Sequence, residues 1–298
     1  MTFGFDRNVA EAAFTLPRND GCFAPDIADY LRELGESRPS VVLAFAPKAA
    51  GTYLRSAAIV ATGGQLVRTV HAQGGRDASF YLPTFLLYYT AGIPARPLVT
   101  HVHMQALPAN QHFITTLDLK PVLMMRAIPD MLASYLDMLE DDPLSPDNWL
   151  NIEVPANYKA LDDRAKADFM IDAMAPWYVS YFSTWLAFTR ADPDRVLWLD
   201  YDDFRADPAN TLQSLLSHSG FARSRHECET ALAAVWDERA SFRFNQGISG
   251  RGRRRFTSTQ IARLKRLLAY YPELEPWADR LIPPPSAVSP KRRPSAAA

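Results

Sequence analysis

Residues 41–54 read VVLAFAPKAAGTYL. The first six form a short uncharged run rich in Val, Leu and Phe, as in a strand buried on both faces. The run stops at Pro47, and a helical pattern starts at Gly51 and continues to position 61. A buried strand that feeds a helix through a loop of small residues is half of a strand–helix–strand unit. Three further runs, 98–102 (LVTHV), 122–125 (VLMM) and 196–199 (VLWL), read as strands of the same kind. Helical patterns at 129–139, 177–188, 208–217 and 259–269 fall between and after them. Pro129 opens the first of these at a position where its missing N–H costs nothing. This alternation predicts an α/β fold, a central, mostly parallel sheet flanked by helices on both faces. Functional groups are then expected at the carboxyl ends of the strands.

The 298 residues are enough to bury a large core, and the sequence predicts one domain over 1–282. Residues 283–298 (PPPSAVSPKRRPSAAA) lack large apolar side chains, so they are predicted to be a disordered tail outside the fold. Lys and Arg total 32 against 33 Asp and Glu, so no general attraction to nucleic acid or an anionic membrane follows, and any anion site must be local. The two cysteines, Cys22 and Cys228, are too few for a disulfide framework and lack CxxC spacing. Residues 1–18 alternate charged and apolar side chains, without the core of a signal peptide, and no stretch approaches a membrane span. These features predict a soluble, cytoplasmic protein.

The loop after the first strand carries the first chemical signal. Lys48, Ala49, Ala50, Gly51, Thr52 and Tyr53 combine small residues, which leave backbone N–H groups uncovered, with a helix N-terminus and one mobile cation. That combination makes an anion cradle. It is not a Walker A loop, because GxxxxGK[ST] is absent and the lysine precedes the glycine. The plain alternative is a strand-to-helix turn with a solvated lysine.

The loop resembles the PKSGTTWL phosphate loop of the sulfotransferases that use 3′-phosphoadenosine 5′-phosphosulfate (PAPS). Lys48 and Thr52 coincide with it, while Ala49, Ala50, Gly51 and Tyr53 replace Ser, Gly, Thr and Trp. Residues 122–135 (VLMMRAIPDMLASY) resemble the family's strand followed by RNPxDxxxSY, which implies that Arg126 and Ser134 grip the donor's 3′-phosphate. An arginine fork at a strand mouth suits a phosphate; the alternative is an Arg126–Asp130 pair and a surface serine. Residues 177–185 (WYVSYFSTW) and 196–208 (VLWLDYDDFRADP) resemble the family's WYxHVxxWW helix and YEDLxxDP turn, which implies a place for Tyr201 near the adenine. The tryptophans themselves read as mostly core. Residues 244–257 (FNQGISGRGRRRFT) resemble FRKGxxGDWKxxFT, placing Asn245, Gln246 and Gly247 at the family's 3′-phosphate loop. Asn245 and Gln246 replace its Arg-Lys, but Arg251, Arg253, Arg254 and Arg255 follow, so the positive charge is displaced along the loop; of these, Arg251 and Arg253 are the candidate phosphate ligands. The four segments span most of the chain in family order and imply a P-loop-NTPase-like sulfotransferase architecture. They also imply PAPS as donor and adenosine 3′,5′-bisphosphate (PAP) as product, and they are compatible with a homodimer.

Sulfuryl transfer needs a base for the acceptor's proton and cations for the leaving charge. Thr100-His101 followed by Leu107-Pro108 resembles the family's TH-LP-xx-LLP segment, which implies that His101 is the base and Lys48 the cation at the bridging oxygen; His103 replaces a family proline. His101 and His103, two apart on a strand, face one side and would also suit half of a metal site, but no third ligand stands at diagnostic spacing and the reaction requires no metal. Residues 63–97, with Phe80, Tyr81 and Tyr88, and residues 140–174 lack family-like signals and are expected to form the acceptor pocket and its lid. The aromatic run fits an apolar acceptor, a stacked sugar or plain core. His103, Phe80, Tyr81 and Tyr88 are candidate acceptor contacts, and the acceptor, a hydroxyl or amine of a small molecule, lipid or carbohydrate, is not identified. Two rivals stay open. An ATP-dependent phosphotransferase would need a magnesium carboxylate, for which Asp200, Asp202 and Asp203 are available. A nucleic-acid-binding module would use Arg251 to Arg255 and show steep salt dependence.

Overall fold

The computed structural model describes residues 40–70, 79–81, 96–141, 152–237 and 248–284, with single positions at 29, 32, 33 and 84. Cys22, Tyr88, Asn245, Gln246, Gly247 and nearly all of the tail lie outside the described residues. Among those described, five parallel strands form one sheet: β1 (Ser40–Leu43), β2 (Gln65–Leu66), β3 (Leu98–His101), β4 (Pro121–Met125) and β5 (Leu197–Asp200). Their order is β2-β3-β1-β4-β5. The chain passes from β3 over β1 to β4, so the strand order reverses around β1, and the crevice beyond its carboxyl end is the place where such sheets bind ligands. Register aligns Leu43 with His101 and Met125 with Asp200, which gathers the ends of β3, β4 and β5 around the loop that leaves β1.

Helices flank the sheet: α1 (Gly51–Thr62), α2 (Pro108–Thr116), α3 (Ile128–Asp141), α4 (Asp163–Ala173), α5 (Ala175–Ala191), α6 (Tyr201–Ala206), α7 (Pro208–His218), α8 (Arg225–Asp237), α9 (Gly252–Arg255), α10 (Ser258–Leu268) and α11 (Ala278–Leu281). The fold is the expected P-loop-like α/β arrangement, and each predicted strand and helix is present to within a few residues. The sequence patterns do not single out α2, α4, α6, α8, α9 or α11. α4 falls in the segment expected to form acceptor pocket and lid. It instead begins on an Asp162 cap that accepts from the Ala165 N–H at 2.7 Å, buries Ala167, Met170 and Ile171, and packs on α3, α5 and α10. One face of residues 163–173 therefore packs into the scaffold. No helix among the described residues is long and apolar enough to cross a membrane.

β1 is shorter than the apolar run 41–46, and the difference matters. Ala44, Phe45 and Ala46 are fully buried, yet past the Ala44 N–H bond to the Val122 carbonyl (3.0 Å) the chain leaves the ladder. Buried carbonyls that leave a ladder need other donors. Here the donors are side chains of α5: Tyr181 Oη donates to the Ala44 carbonyl (2.6 Å), Tyr178 Oη to that of Pro47 (3.0 Å), and Trp185 Nε1 to that of Met104 (2.9 Å). Spacings of three and four place all three on one helix face, and all three are fully buried. Burial pushes the Tyr181 phenol well above its ordinary range, so it remains a neutral donor.

Tyr181→Phe keeps the shape and removes the donor, leaving the buried Ala44 carbonyl unsatisfied. A loss of about 1–3 kcal/mol is expected from urea unfolding. Tyr270→Phe, at a side chain 74% exposed, should stay within about 0.5 kcal/mol of the parent. Equal midpoints for the two variants would mean that the Tyr181 bond does not support the fold.

Candidate active site at the end of β1

The loop between β1 and α1 holds two non-glycine residues in the left-handed region, Lys48 at φ +67° and Ala50 at φ +65°. Such conformations persist only where the surroundings impose them. The surroundings here are donors on the loop's carbonyls: Tyr178 on Pro47, and the Arg126 guanidinium on Lys48. The bends turn the backbone into the N-terminus of α1, whose cap residue Ala50 supplies no side-chain hydrogen bond and whose first turn holds no acidic residue. An uncapped N-terminus of a 12-residue helix presents N–H groups and partial positive charge to an anion. Lys48 Nζ rests 3.7 Å from Met138 Sδ on α3, a weak acceptor.

Arg126 follows β4 and is buried. Besides the bond to Lys48, its guanidinium lies 3.9 Å over the ring of Tyr201, which packs in turn on Phe204. Its Nε is buried without a hydrogen-bond partner among the described residues. A buried guanidinium with spare donor capacity is costly unless something charged completes it. Ser134 is buried two turns into α3. Asp130, whose partner on the plain alternative was Arg126, instead accepts the N–H groups of Gly250 (2.7 Å) and Gly252 (2.8 Å), so its carboxylate ties the 248–255 segment to the start of α3. The approach is close: a Cβ on Gly252 would stand 2.2 Å from the Pro129 carbonyl carbon.

The arginines of that segment divide their work. Arg251 pairs with Asp137 and Arg255 with Glu140, both on α3, while Arg254 is exposed and Arg253 keeps a buried Nε without a partner among the described residues. Two of the four charges are locally neutralised, which weakens the case for a nucleic-acid patch. Two of the three carboxylates available for magnesium are likewise engaged. Asp200 caps α6 by accepting from Asp202 N–H (2.8 Å) and Asp203 N–H (3.3 Å) and pairs with Arg280; Asp202 accepts from Ser249 and lies 3.6 Å from Arg205. No cluster of three or more potential metal ligands occurs among the described residues.

His101 ends β3 and is buried against the loop: the space that a Cβ on Gly51 would fill is taken by its ring. His103 meets it edge-on, with centroids 4.7 Å apart, and its Nδ1 stands 2.7 Å from the Phe45 carbonyl oxygen. Tyr53, half-buried, donates to the Leu232 carbonyl (3.2 Å) and sits between Phe204 and Trp236, each 6.1 Å away. Of the candidate acceptor contacts, Phe80 stacks on Phe113 at 5.2 Å, and Tyr81 is 40% exposed with its N–H on the Thr69 carbonyl. The structure thus places Lys48, Gly51 and His101 around one loop and bonds Arg126 to it. Sequence reasoning missed the two tyrosines that hold the loop and the role of Asp130. The YxxY spacing within WYVSYFSTW was the available signal for the former.

A family description for the sulfotransferase domain matches residues 93–267, more than half of the chain. The chain belongs to the sulfotransferase family. The match begins beyond the phosphate loop, so β3 to α10 carry it. The mouse sulfotransferase SULT7A1, solved in complex with PAP, superposes with a TM-score of 0.56 at 14% identity, covering 85% of this chain and 91% of that one. The two share the sulfotransferase fold. Retinol dehydratase in complex with androsterone and inactive PAP superposes more loosely, at a TM-score of 0.43 and 13% identity over 80% of this chain and 81% of that one. Comparison with curated proteins finds no match.

Asp130→Ala frees the Gly250 and Gly252 amides from their acceptor. Hydrogen exchange at those two amides should accelerate by about tenfold or more while the amides of β1 keep their protection. Unchanged protection at both glycines would show that Asp130 does not hold the segment.

Proposed function

We propose that this sulfotransferase moves a sulfuryl group from PAPS to a hydroxyl or amine of an acceptor, with His101 as general base. The observation that carries the reading is the seat of His101: a buried imidazole packed against the first residue of α1, at the mouth of an uncapped helix N-terminus. A base suited to neutral pH and an anion cradle meet at one point.

The residues present fit the donor. The N-terminus of α1 and Lys48 suit its phosphosulfate, the spare donors on Arg126 and Arg253 suit a second phosphate, and Tyr53, Phe204 and Trp236 offer an aromatic wall for a base. The PAP bound to the mouse neighbour supports the same donor. In the reaction His101 takes the acceptor's proton as the acceptor atom forms its bond to sulfur. The bond from sulfur to the bridging oxygen breaks, and its electron pair leaves on the bisphosphate, where the Lys48 ammonium stabilises it. The course is in-line displacement, governed by position and charge. One domain over residues 1–282 contains the whole site in this reading. Cys228, a buried free thiol, fits a reducing compartment such as the cytoplasm.

The test follows transfer of radiolabelled sulfate from PAPS to a panel of phenols, alcohols, amines and sugars, together with PAP release to water. Lys48→Ala and His101→Ala should each lower turnover by about 10²–10⁴-fold. Full turnover in either variant would remove that residue from the mechanism. Arg126→Ala should weaken binding of PAP by about 10- to 100-fold and that of AMP, which lacks the 3′-phosphate, by much less. Equal losses would assign Arg126 to the loop alone.

A further inference from the structure

Two departures of this chain from the sulfotransferase pattern meet on one side chain. Gly51 stands where the family loop has threonine, and His103 where the family's TH-LP segment has proline. Both touch His101. A Cβ built on Gly51 would fall 2.1 Å from His101 Nε2 and 2.4 Å from Cε1, far inside contact distance. The imidazole occupies the volume that any side chain at position 51 would need.

Two further rings pack against the imidazole. The His103 ring stands 84° to that of His101 at 4.7 Å, and the Phe45 ring stands 74° to it at 6.2 Å. His103 is itself anchored, since its Nδ1 lies 2.7 Å from the Phe45 carbonyl oxygen and that oxygen can only accept. Nδ1 therefore carries the proton. Phe45 fixes both histidines, one through its carbonyl and one through its ring. The three contacts hold His101 with Nε2 directed at the first residue of α1.

We infer that Gly51 and His103 are positioning residues for the transfer reaction: the glycine opens a seat for His101 against the phosphate loop, and the anchored His103 ring keeps it there. The inference rests on reading His101 as the base. A threonine at 51 would occupy the seat, and a proline at 103 would remove the anchored ring. The two departures act together, as one exchange of the base's support.

Three measurements test this. In wild-type protein with 15N-labelled histidine, two-bond nitrogen–proton spectra should show His103 as the Nδ1–H tautomer; the Nε2–H form would overturn the anchor. Gly51→Ala and His103→Ala should each lower PAP release from PAPS in water by roughly 10- to 100-fold. For His103→Asn, whose amide still reaches the Phe45 carbonyl of the loop, the dissociation constant for PAP should stay within about twofold of the parent. His103→Asn, which keeps an amide donor where Nδ1 stood, should recover part of the loss suffered by His103→Ala. Full turnover in both Gly51→Ala and His103→Ala overturns the inference alone. Full turnover in His101→Ala overturns the base reading, and the inference with it.

Discussion

The carbonyl groups that leave β1 are the constraint on which the rest of the structure depends. From Ala44 to Pro47 the chain is buried and, past the Ala44 N–H, no longer in a ladder, and unmet carbonyls there would each cost about 1–3 kcal/mol. Tyr181, His103, Tyr178 and Arg126 answer the carbonyls of Ala44, Phe45, Pro47 and Lys48 in turn. Four side chains from three parts of the chain thereby set one short segment. Held in this way, Lys48 and Ala50 take left-handed conformations that neither residue favours, and the bends lead into an N-terminus of α1 that no side chain caps.

The same bonds tie the scaffold to the chemistry. Two of the four donors, His103 and Arg126, belong to the candidate site as well as to the fold: one leans on the candidate base, and the other offers a buried spare donor beside the loop. Sheet register does the coarse placement by bringing the end of β3 level with the end of β1. The fine placement is steric, with Gly51 yielding its side-chain volume to His101. On the far side Asp130 gathers the 248–255 segment onto α3 through two backbone amides, and Asp137 and Glu140 on the same helix take up Arg251 and Arg255. α3 thus carries the fixed side of the site along its length.

Much of this was legible in the sequence because its cause is local. Four of the strands fall in short, largely apolar runs, and the parallel sheet follows from their alternation with helical patterns. Lys48, Arg126 and His101 sit at strand ends, where a parallel sheet collects its functional groups. β2, two residues long, carries no run to read. α8 was missed because its sequence, RHECETALAAVWD, mixes charged and small apolar residues and gains its burial by packing against α1. The roles of Tyr178, Tyr181 and Asp130 were not legible, since each acts on a backbone group distant in sequence and a side chain's partner across the fold leaves no periodic trace. Asp130 shows the limit well: spacing suggested the nearby Arg126, and tertiary packing supplied two glycine amides from more than a hundred residues away.

The central claim is that an anion cradle at the end of β1 and a second anion site around Arg126 together bind a nucleotide with phosphates at both the 3′ and 5′ positions. Calorimetric titration of the unmodified protein with PAP, beside magnesium-ATP and a short oligonucleotide at low and high salt, tests it most directly. The account predicts saturable one-to-one binding of PAP that far exceeds that of ATP. Absence of PAP binding, with magnesium-ATP or the oligonucleotide bound in its place, would contradict it.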